Sequence, residues 1–109
     1  MVDIGTLRHR VRLERPVSTR DDNRAPVTTW DHVATVWASI WPVRGREYWA
    51  AKSINAEVEV TIRVRYRGDI GPDWRLVYRD KVYAVLAVMN LRGEDAVLEL
   101  QCKEVGHDG

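Results

Sequence analysis

The chain has 109 residues, enough for one hydrophobic core but not for two. Apolar residues make up 45% of it, the share of a folded protein, and 17 basic residues against 16 acidic ones leave a formal charge of +1. This balance argues against a protein whose main task is to hold nucleic acid. No apolar run reaches the ~18–20 residues that cross a bilayer. The first residues, Met1 to Gly5, predict no secretion signal.

We therefore expect a single domain over residues 1–109, in which 1–5 and 105–109 are flexible, and a product that stays in the cytoplasm until it joins a larger assembly.

Apolar and polar residues alternate with a period of two along much of the chain, and this pattern predicts β-strands. The first strand covers Arg8 to Glu14, and Pro16 is predicted to end it. The stretch from Val17 to Pro26 is polar and lacks apolar anchors. We predict that it is a loop, disordered in the free protein and ordered against a neighbour or partner.

A long second strand is predicted from about Val27 to Trp41, a stretch rich in Val, Thr, Trp and Ile. Its length and the interruption at Asp31-His32 predict a bend or bulge near its middle, and Pro42 ends the pattern. Gly45 to Ile54 then predicts one short helix of two or three turns, which must be held by packing.

The rest of the chain predicts four more strands. Residues 57–66 alternate strictly, as in a half-buried antiparallel strand. Shorter strands are predicted at Trp74–Tyr78, Val82–Val88 and Ala96–Glu104, with a hairpin turn around Asp80. The expected fold class is mainly β: a small antiparallel β-barrel of about six strands, or a small sandwich, with long loops and one short helix.

No arrangement of residues predicts catalysis, a metal site or a cofactor. His9, His32 and His107 have none of the spacings of a zinc site, and there is no CxxC motif and no glycine-rich phosphate loop. Cys102, the sole cysteine, lies in an alternating run and is predicted to be a small buried apolar group. We therefore predict that the protein is not an enzyme.

Five tryptophans and no phenylalanine make up an unusual aromatic content. Tryptophan can replace phenylalanine in a core, and we predict this for Trp37. Trp49 lies beside Tyr48 on the short predicted helix, where it is hard to bury completely, so we predict an interface anchor. Aromatic residues among basic ones also stack on single-stranded nucleic acid, but the balanced charge favours a protein interface.

Taken in order along the chain, several segments resemble those of the phage head–tail joining proteins, and the set covers about Ile4 to Glu104. The segments are IGTLRHRV (4–11) with LERP (13–16), TW (29–30) with VATVWASI (33–40), GREYWAA (45–51), VRYR (64–67) with Ile70 and WRLVY (74–78), and CKE (102–104). No single segment is diagnostic, whereas the ordered set is.

The resemblance implies a head-closure, or stopper, protein with a small β-barrel fold and long loops. Such a protein forms a ring of its own copies below the portal and adaptor proteins, closes the DNA-filled head and provides the surface to which the tail attaches. Its implied partners are therefore itself, the portal and adaptor, a tail terminator or tail-completion protein and, transiently, packaged double-stranded DNA, but no membrane. Its implied locations are the host cytoplasm during assembly and the neck of the virion.

In the family, the segment after the long second strand lies toward the central channel and acts as a gate, which here is Pro42 to Asn55. A plainer interpretation, compatible with the first, is a helix that caps an open barrel end. The candidate channel residues are the large and basic ones of this segment: Arg44, Arg46, Tyr48, Trp49 and Lys52. The candidates for contacts between subunits or with partners are charged residues of the predicted loop and third strand: Arg20, Asp21, Asp22, Arg24, Glu57, Glu59, Arg63 and Arg65.

Two alternatives stay open. The first is another ring component of the same connector, an adaptor or a tail terminator. The second is a small-barrel module that binds single-stranded nucleic acid, for which a salt-sensitive mobility shift with single-stranded DNA is the discriminating observation.

We predict that the purified protein is a monomer at micromolar concentration. Ring contacts between small barrels bury little area per copy, and less than ~1,000 Å² usually means weak association. Sedimentation velocity checks this, and a stable closed ring at that concentration would contradict it.

Overall fold

The computed structural model describes residues 7–20, 22–43 and 57–107. Its six strands are β1 (His9–Arg20), β2 (Pro26–Pro42), β3 (Val60–Arg65), β4 (Arg75–Tyr78), β5 (Lys81–Asn90) and β6 (Val97–His107). Every neighbouring pair is antiparallel, and the hydrogen-bonded order β1-β2-β3-β6-β5-β4 returns to β1, so the sheet closes into a barrel. This confirms the predicted mainly β fold; the predicted helix from Gly45 to Ile54 lies outside the described residues.

The core fills the inside of the barrel with alternate residues of each strand. Successive side chains of a strand point to opposite faces, so the period-two pattern of the sequence becomes an inside and an outside. The inward side chains that are almost completely buried include Val11, Leu13, Ile62, Leu76 and Leu100. The loop between β3 and β4 adds two more groups, the buried Trp74 and the partly buried Ile70.

The hairpin of β1 and β2 is longer than the sequence predicted. Pro16 does not end β1, which continues to Arg20 and pairs with the start of β2. Beyond Glu14, β2 is the only described neighbour of β1, and proline is tolerated on such an edge strand because no second ladder needs its missing N–H. The loop assignment is therefore wrong for Val17–Arg20, and this pairing argues against the disorder expected there.

A β-bulge interrupts β2 near its middle. Leu13 pairs with Ala34, whereas the next residue, Glu14, pairs with His32, so Val33 is extra. The bulge confirms the interruption predicted at Asp31-His32, and the long second strand is confirmed as β2. Beyond the bulge, β1 and β2 continue for six more residue pairs as a two-stranded hairpin, from Arg15↔Asp31 to Arg20↔Pro26.

Trp37 is not a core residue, contrary to the prediction. Its side chain is 51% exposed, and the guanidinium of Arg10 lies 5.1 Å from its ring centroid. The cause is strand alternation, since the neighbours Val36 and Ala38 pack toward the core and Trp37 must face outward. Trp74, from the loop before β4, is the tryptophan that enters the core.

The later strands largely follow the predicted pattern. β4 and β5 are joined by the predicted tight turn at Arg79-Asp80, where Arg79 has a left-handed φ of 57°. β3 is shorter than predicted and begins at Val60. Thr61 is buried on the outer side of the barrel, where Trp41 and Gln101 are its partners in the neighbouring strands.

Cys102 lies in the core, as predicted, and is fully buried, and burial raises the pKa of its thiol. We predict that a disulfide reagent at pH 8 modifies the native protein orders of magnitude more slowly than the urea-unfolded chain, because the thiolate is the reactive form. The control is Val105→Cys in a Cys102→Ala background, since Val105 is exposed and should react at the rate of a free thiol. Equal rates for the two sites would contradict the burial.

Candidate functional site

The candidate channel residues, Arg44, Arg46, Tyr48, Trp49 and Lys52, lie outside the described residues. The described residues on either side of this segment lie close together. Pro42 pairs with Val60, and the Val43 N–H donates to the Glu59 carbonyl at 2.9 Å. The chain therefore leaves β2 and returns to β3 at one point. We call this end of the barrel the segment end.

Three of the candidate contact residues lie together at the opposite end, at the tip of the β1–β2 hairpin. Arg20, Asp22 and Arg24 are all exposed, and Arg20 Nη1 donates to the Arg24 carbonyl at 3.1 Å. Arg24 has a left-handed φ of 61°, which is uncommon for a side chain other than Gly, Asn or Asp. Asp21 lies outside the described residues. We call this end of the barrel the hairpin end.

The candidates Glu57 and Glu59 lie at the segment end, away from the hairpin tip. Glu59 Oε1 accepts a hydrogen bond from the Glu104 backbone N–H at 3.0 Å, and Glu57 lies 3.9 Å from Lys103 Nζ. Both carboxylates are exposed, and both contact β6 of their own chain. The structure therefore separates Glu57 and Glu59 from the candidates at the hairpin tip.

Arg63 and Arg65 differ although both face outward from β3. Arg63 donates from Nε and Nη2 to Glu99 Oε1, at 3.2 and 3.0 Å, and Glu99 is fully buried. Because a buried carboxylate needs such partners, the Arg63 guanidinium serves an ion pair within its own chain. Arg65 is exposed at the end of β3 toward the hairpin end. The sequence hint was Glu99 itself, alone between the apolar residues Leu98 and Leu100.

A charged cluster that the sequence did not predict lies at the root of the hairpin. The Glu14 carboxylate, only 4% exposed, lies 2.9 Å from Arg12 Nη2 and accepts a hydrogen bond from Arg75 Nε at 2.6 Å. The Arg75 guanidinium stacks on the ring of Trp30, 4.5 Å from its centroid. The cluster thus joins β1, β4 and β2 at the point where the hairpin leaves the barrel.

The barrel opens at the segment end into a cavity of about 350 Å³. Its aromatic wall contains Tyr78 and Tyr83, and its rim is basic and acidic; the full lining is His9, Ile40, Tyr78, Arg79, Asp80, Lys81 and Tyr83. Nδ1 of His9 lies 2.9 Å from the Tyr78 hydroxyl, and the Arg79 guanidinium lies 5.2 Å from the Tyr78 ring centroid. Burial raises the pKa of Tyr83.

Among the described residues, no group of three or more His, Cys, Asp or Glu is placed to hold a metal ion. In the same parts of the chain, no helix is long and apolar enough to cross a membrane. The described residues form a barrel with a projecting hairpin at one end and a mouth lined by aromatic, basic and acidic residues at the other.

A family model described as phage head completion protein matches residues 2–105. The chain belongs to the phage head completion protein family. This confirms the resemblance to the head–tail joining proteins and makes the chain a structural component of a phage particle, in a family that is not a class of enzymes.

Among solved structures, the chain is similar to protein SF1141 from Shigella flexneri 2a, known from a solution structure. The two are 26% identical with a TM-score of 0.73, and the match covers 94% of this chain and 96% of the other. No protein with a curated description matches the chain.

The charged cluster at the hairpin root gives a testable prediction. Glu14→Gln should lower the free energy of unfolding by about 2 kcal/mol, because it leaves two guanidinium groups facing a neutral amide in a buried site. Asp31→Asn removes a carboxylate of the same hairpin that is exposed and 3.6 Å from Arg15, and should cost less than about 0.5 kcal/mol. Urea unfolding of both variants checks the difference; equal costs would show that the cluster is not a structural anchor.

Proposed function

We propose that this chain is a head-closure protein. Copies of it assemble as a ring below the portal and its adaptor, retain the packaged DNA and provide the surface to which the tail attaches. The match to the phage head completion family over residues 2–105 carries this proposal.

The two different ends of the barrel support a ring. Head-to-tail contacts join one face of a copy to a different face of its neighbour, and so require two unlike surfaces. The hairpin end presents Arg20, Asp22 and Arg24, whereas the segment end presents Glu57, Glu59 and a cavity mouth with Arg79, Asp80 and Lys81. One barrel of this size cannot close a channel that admits DNA, whereas a ring of such barrels can surround one.

The segment from Pro42 to Asn55 is proposed to converge on the ring axis and act as the gate. Paired residues flank it on both sides, so it leaves the barrel at a fixed point. Its Arg44, Arg46 and Lys52 would attract the phosphates of the DNA end, while the near-neutral charge of the whole chain limits adhesion to DNA that passes through.

The partners that follow are the portal and adaptor on one side of the ring and a tail terminator or tail-completion protein on the other. Contact with double-stranded DNA is transient. The protein would be found in the host cytoplasm during assembly and in the neck of the finished virion.

Replacing Arg44, Arg46 and Lys52 together by Ser tests the gate. The variant should fold normally, because exposed charges rarely contribute more than ~0.5 kcal/mol each. Heads that carry it should acquire the protein yet lose DNA, or fail to receive tails, and the yield of infectious particles should fall. Particle titre, and the DNA content of purified heads, are the measurements.

The matched control keeps all three charges: Arg44→Lys, Arg46→Lys and Lys52→Arg. It should retain most of the titre, because attraction of phosphate depends on charge more than on the shape of the donor. Normal titre for the serine variant would show that the segment is only structural and would remove the gate from the proposal.

A further inference from the structure

The outer face of β1 carries three arginines in succession. Val11 and Leu13 point into the core. The residues that alternate with them, Arg8, Arg10 and Arg12, therefore point outward, and all three are exposed. Alternate residues of a strand lie about 7 Å apart, so the three arginines form a straight line of about 13 Å. We call these three residues the arginine row.

The positive charge of the arginine row is only partly compensated within the chain. Arg12 Nη2 lies 2.9 Å from Glu14 Oε2, but the same carboxylate also accepts a hydrogen bond from Arg75. In the described parts of the chain, no carboxylate forms an ion pair with Arg8 or Arg10. Because like charges at this spacing repel each other, the row favours an anion from outside the chain.

The arginine row leads to the cavity at the segment end. His9 belongs to the same stretch of β1 and lines this cavity together with Arg79 and Lys81, which are both exposed. Among the described lining residues, Asp80 is the one carboxylate. The excess of positive charge therefore continues from the row to the barrel end from which the proposed gate segment departs.

Trp37 orients the middle arginine of the row. It is the cross-strand partner of Arg10, whose guanidinium lies 5.1 Å from the Trp37 ring centroid. A guanidinium stacked on a ring uses its flat face, while its N–H donors lie at its edge and stay available to an acceptor. The guanidinium fork matches the oxygens of a phosphate group. Stacking on Trp37 therefore leaves Arg10 with its donor edge open to a phosphate.

We propose that the arginine row binds the phosphate backbone of double-stranded DNA, without preference for base sequence. The inference rests on the head-closure role, which brings the chain to packaged DNA, and it adds a contact on the barrel wall to that of the gate segment. Contacts to phosphate carry no sequence information, so every stretch of the genome fits. A few such contacts bind weakly in one copy, and a ring of copies multiplies them.

The charge density of the duplex favours DNA over an acidic protein as the ligand. Duplex DNA carries one negative charge per about 1.7 Å of its axis, so phosphates come within reach of the whole row at any position along the duplex. A protein would have to present carboxylates at matching positions. Single-stranded DNA carries its charge at lower density, and each contact with it depends less steeply on salt.

Titration of the purified protein with a short DNA duplex at low salt tests the site, with the indole N–H signals of the tryptophans as the NMR readout. Trp37 is half exposed beside Arg10, whereas Trp74 is buried in the core. The Trp37 signal, identified by its loss in Trp37→Phe, should shift, and the Trp74 signal should not. Two duplexes of unrelated sequence should give the same shift, and added salt should reverse it.

A pair of matched variants tests the arginines themselves. Arg8→Gln with Arg10→Gln should weaken duplex binding at least about fivefold and reduce the slope of log affinity against log salt by about two, because each phosphate contact contributes about 0.9. Arg12 is kept because it belongs to the ion pairs at the hairpin root.

The control, Arg65→Gln with Arg92→Gln, removes the same charge from two exposed arginines at the hairpin end. It should leave the salt slope unchanged and the affinity within about twofold of the original, because these arginines lie away from the row. Both double variants should keep the original melting temperature, since exposed charges contribute little to stability.

Three results would overturn the proposal. The first is a Trp37 signal that does not move at saturating duplex, which needs no variant. The second is an equal loss of affinity in the two double variants. The third is tighter binding of polyglutamate, or of single-stranded DNA of the same length, with the same dependence on Arg8 and Arg10. The ligand would then be an acidic protein or a single strand.

None of these results bears on the head-closure role, which is judged by particle titre and DNA retention. Conversely, duplex binding that depends on Arg8 and Arg10, in a protein that fails the particle assays, would keep the DNA contact and reject the proposed function.

Discussion

The barrel closes where β1 meets β4, and this seam is only three residue pairs long, Arg12–Glu14 against Arg75–Val77. Two interactions hold it. Inside, Leu13 faces Leu76, and both are almost completely buried. Outside, the Glu14 carboxylate binds Arg75 and Arg12. If the seam opens, the sheet gains two free edges. Among the described strands, β4 is the one that pairs with β1 at the hairpin root besides β2, so the root would lose this support.

The same seam connects the fold to the proposed role. Arg75 of β4 donates a hydrogen bond to Glu14 of β1 and stacks on Trp30 of β2. Both strands of the hairpin are therefore bound to β4 at the point where the hairpin leaves the barrel. A hairpin held in this way keeps its direction relative to the barrel. At the other end, the pairing of Pro42 with Val60 gives the segment after β2 a fixed point of departure.

Much of the fold could be predicted from the sequence, because strand alternation is a local property that burial then enforces. Trp37 shows the limit: its residue type suggests a core position, while its place in the alternation forces it outward. Pro16 shows a second limit of sequence-based prediction. A proline ends a central strand but is tolerated in an edge strand, and the edge is known only once the order of the strands in the sheet is known. Glu14 and Glu99 could not be recognised as ion-pair anchors, because Arg75 and Arg63, which donate to them, are distant in the sequence.

The candidate residues of the gate segment stay a prediction. The candidate residues at the hairpin tip and in β3 were chosen because they are charged. Charge alone does not distinguish Arg63, which binds Glu99, from Arg65, which is exposed. Charge identifies ionised side chains but not their partners. The partners are set by strand register, which places Glu99 opposite Arg63 in the β3–β6 pair.

The bulge at Val33 has a consequence for how relatives of this chain can differ. A β-bulge bends its strand and increases the local twist, while the pairs on either side keep their register. A chain that lost this one residue would therefore keep the strand pairs on both sides but lose the packing of Val33 against the core, and its hairpin would point in another direction. The direction in which the hairpin projects would then depend on a change of chain length by a single residue.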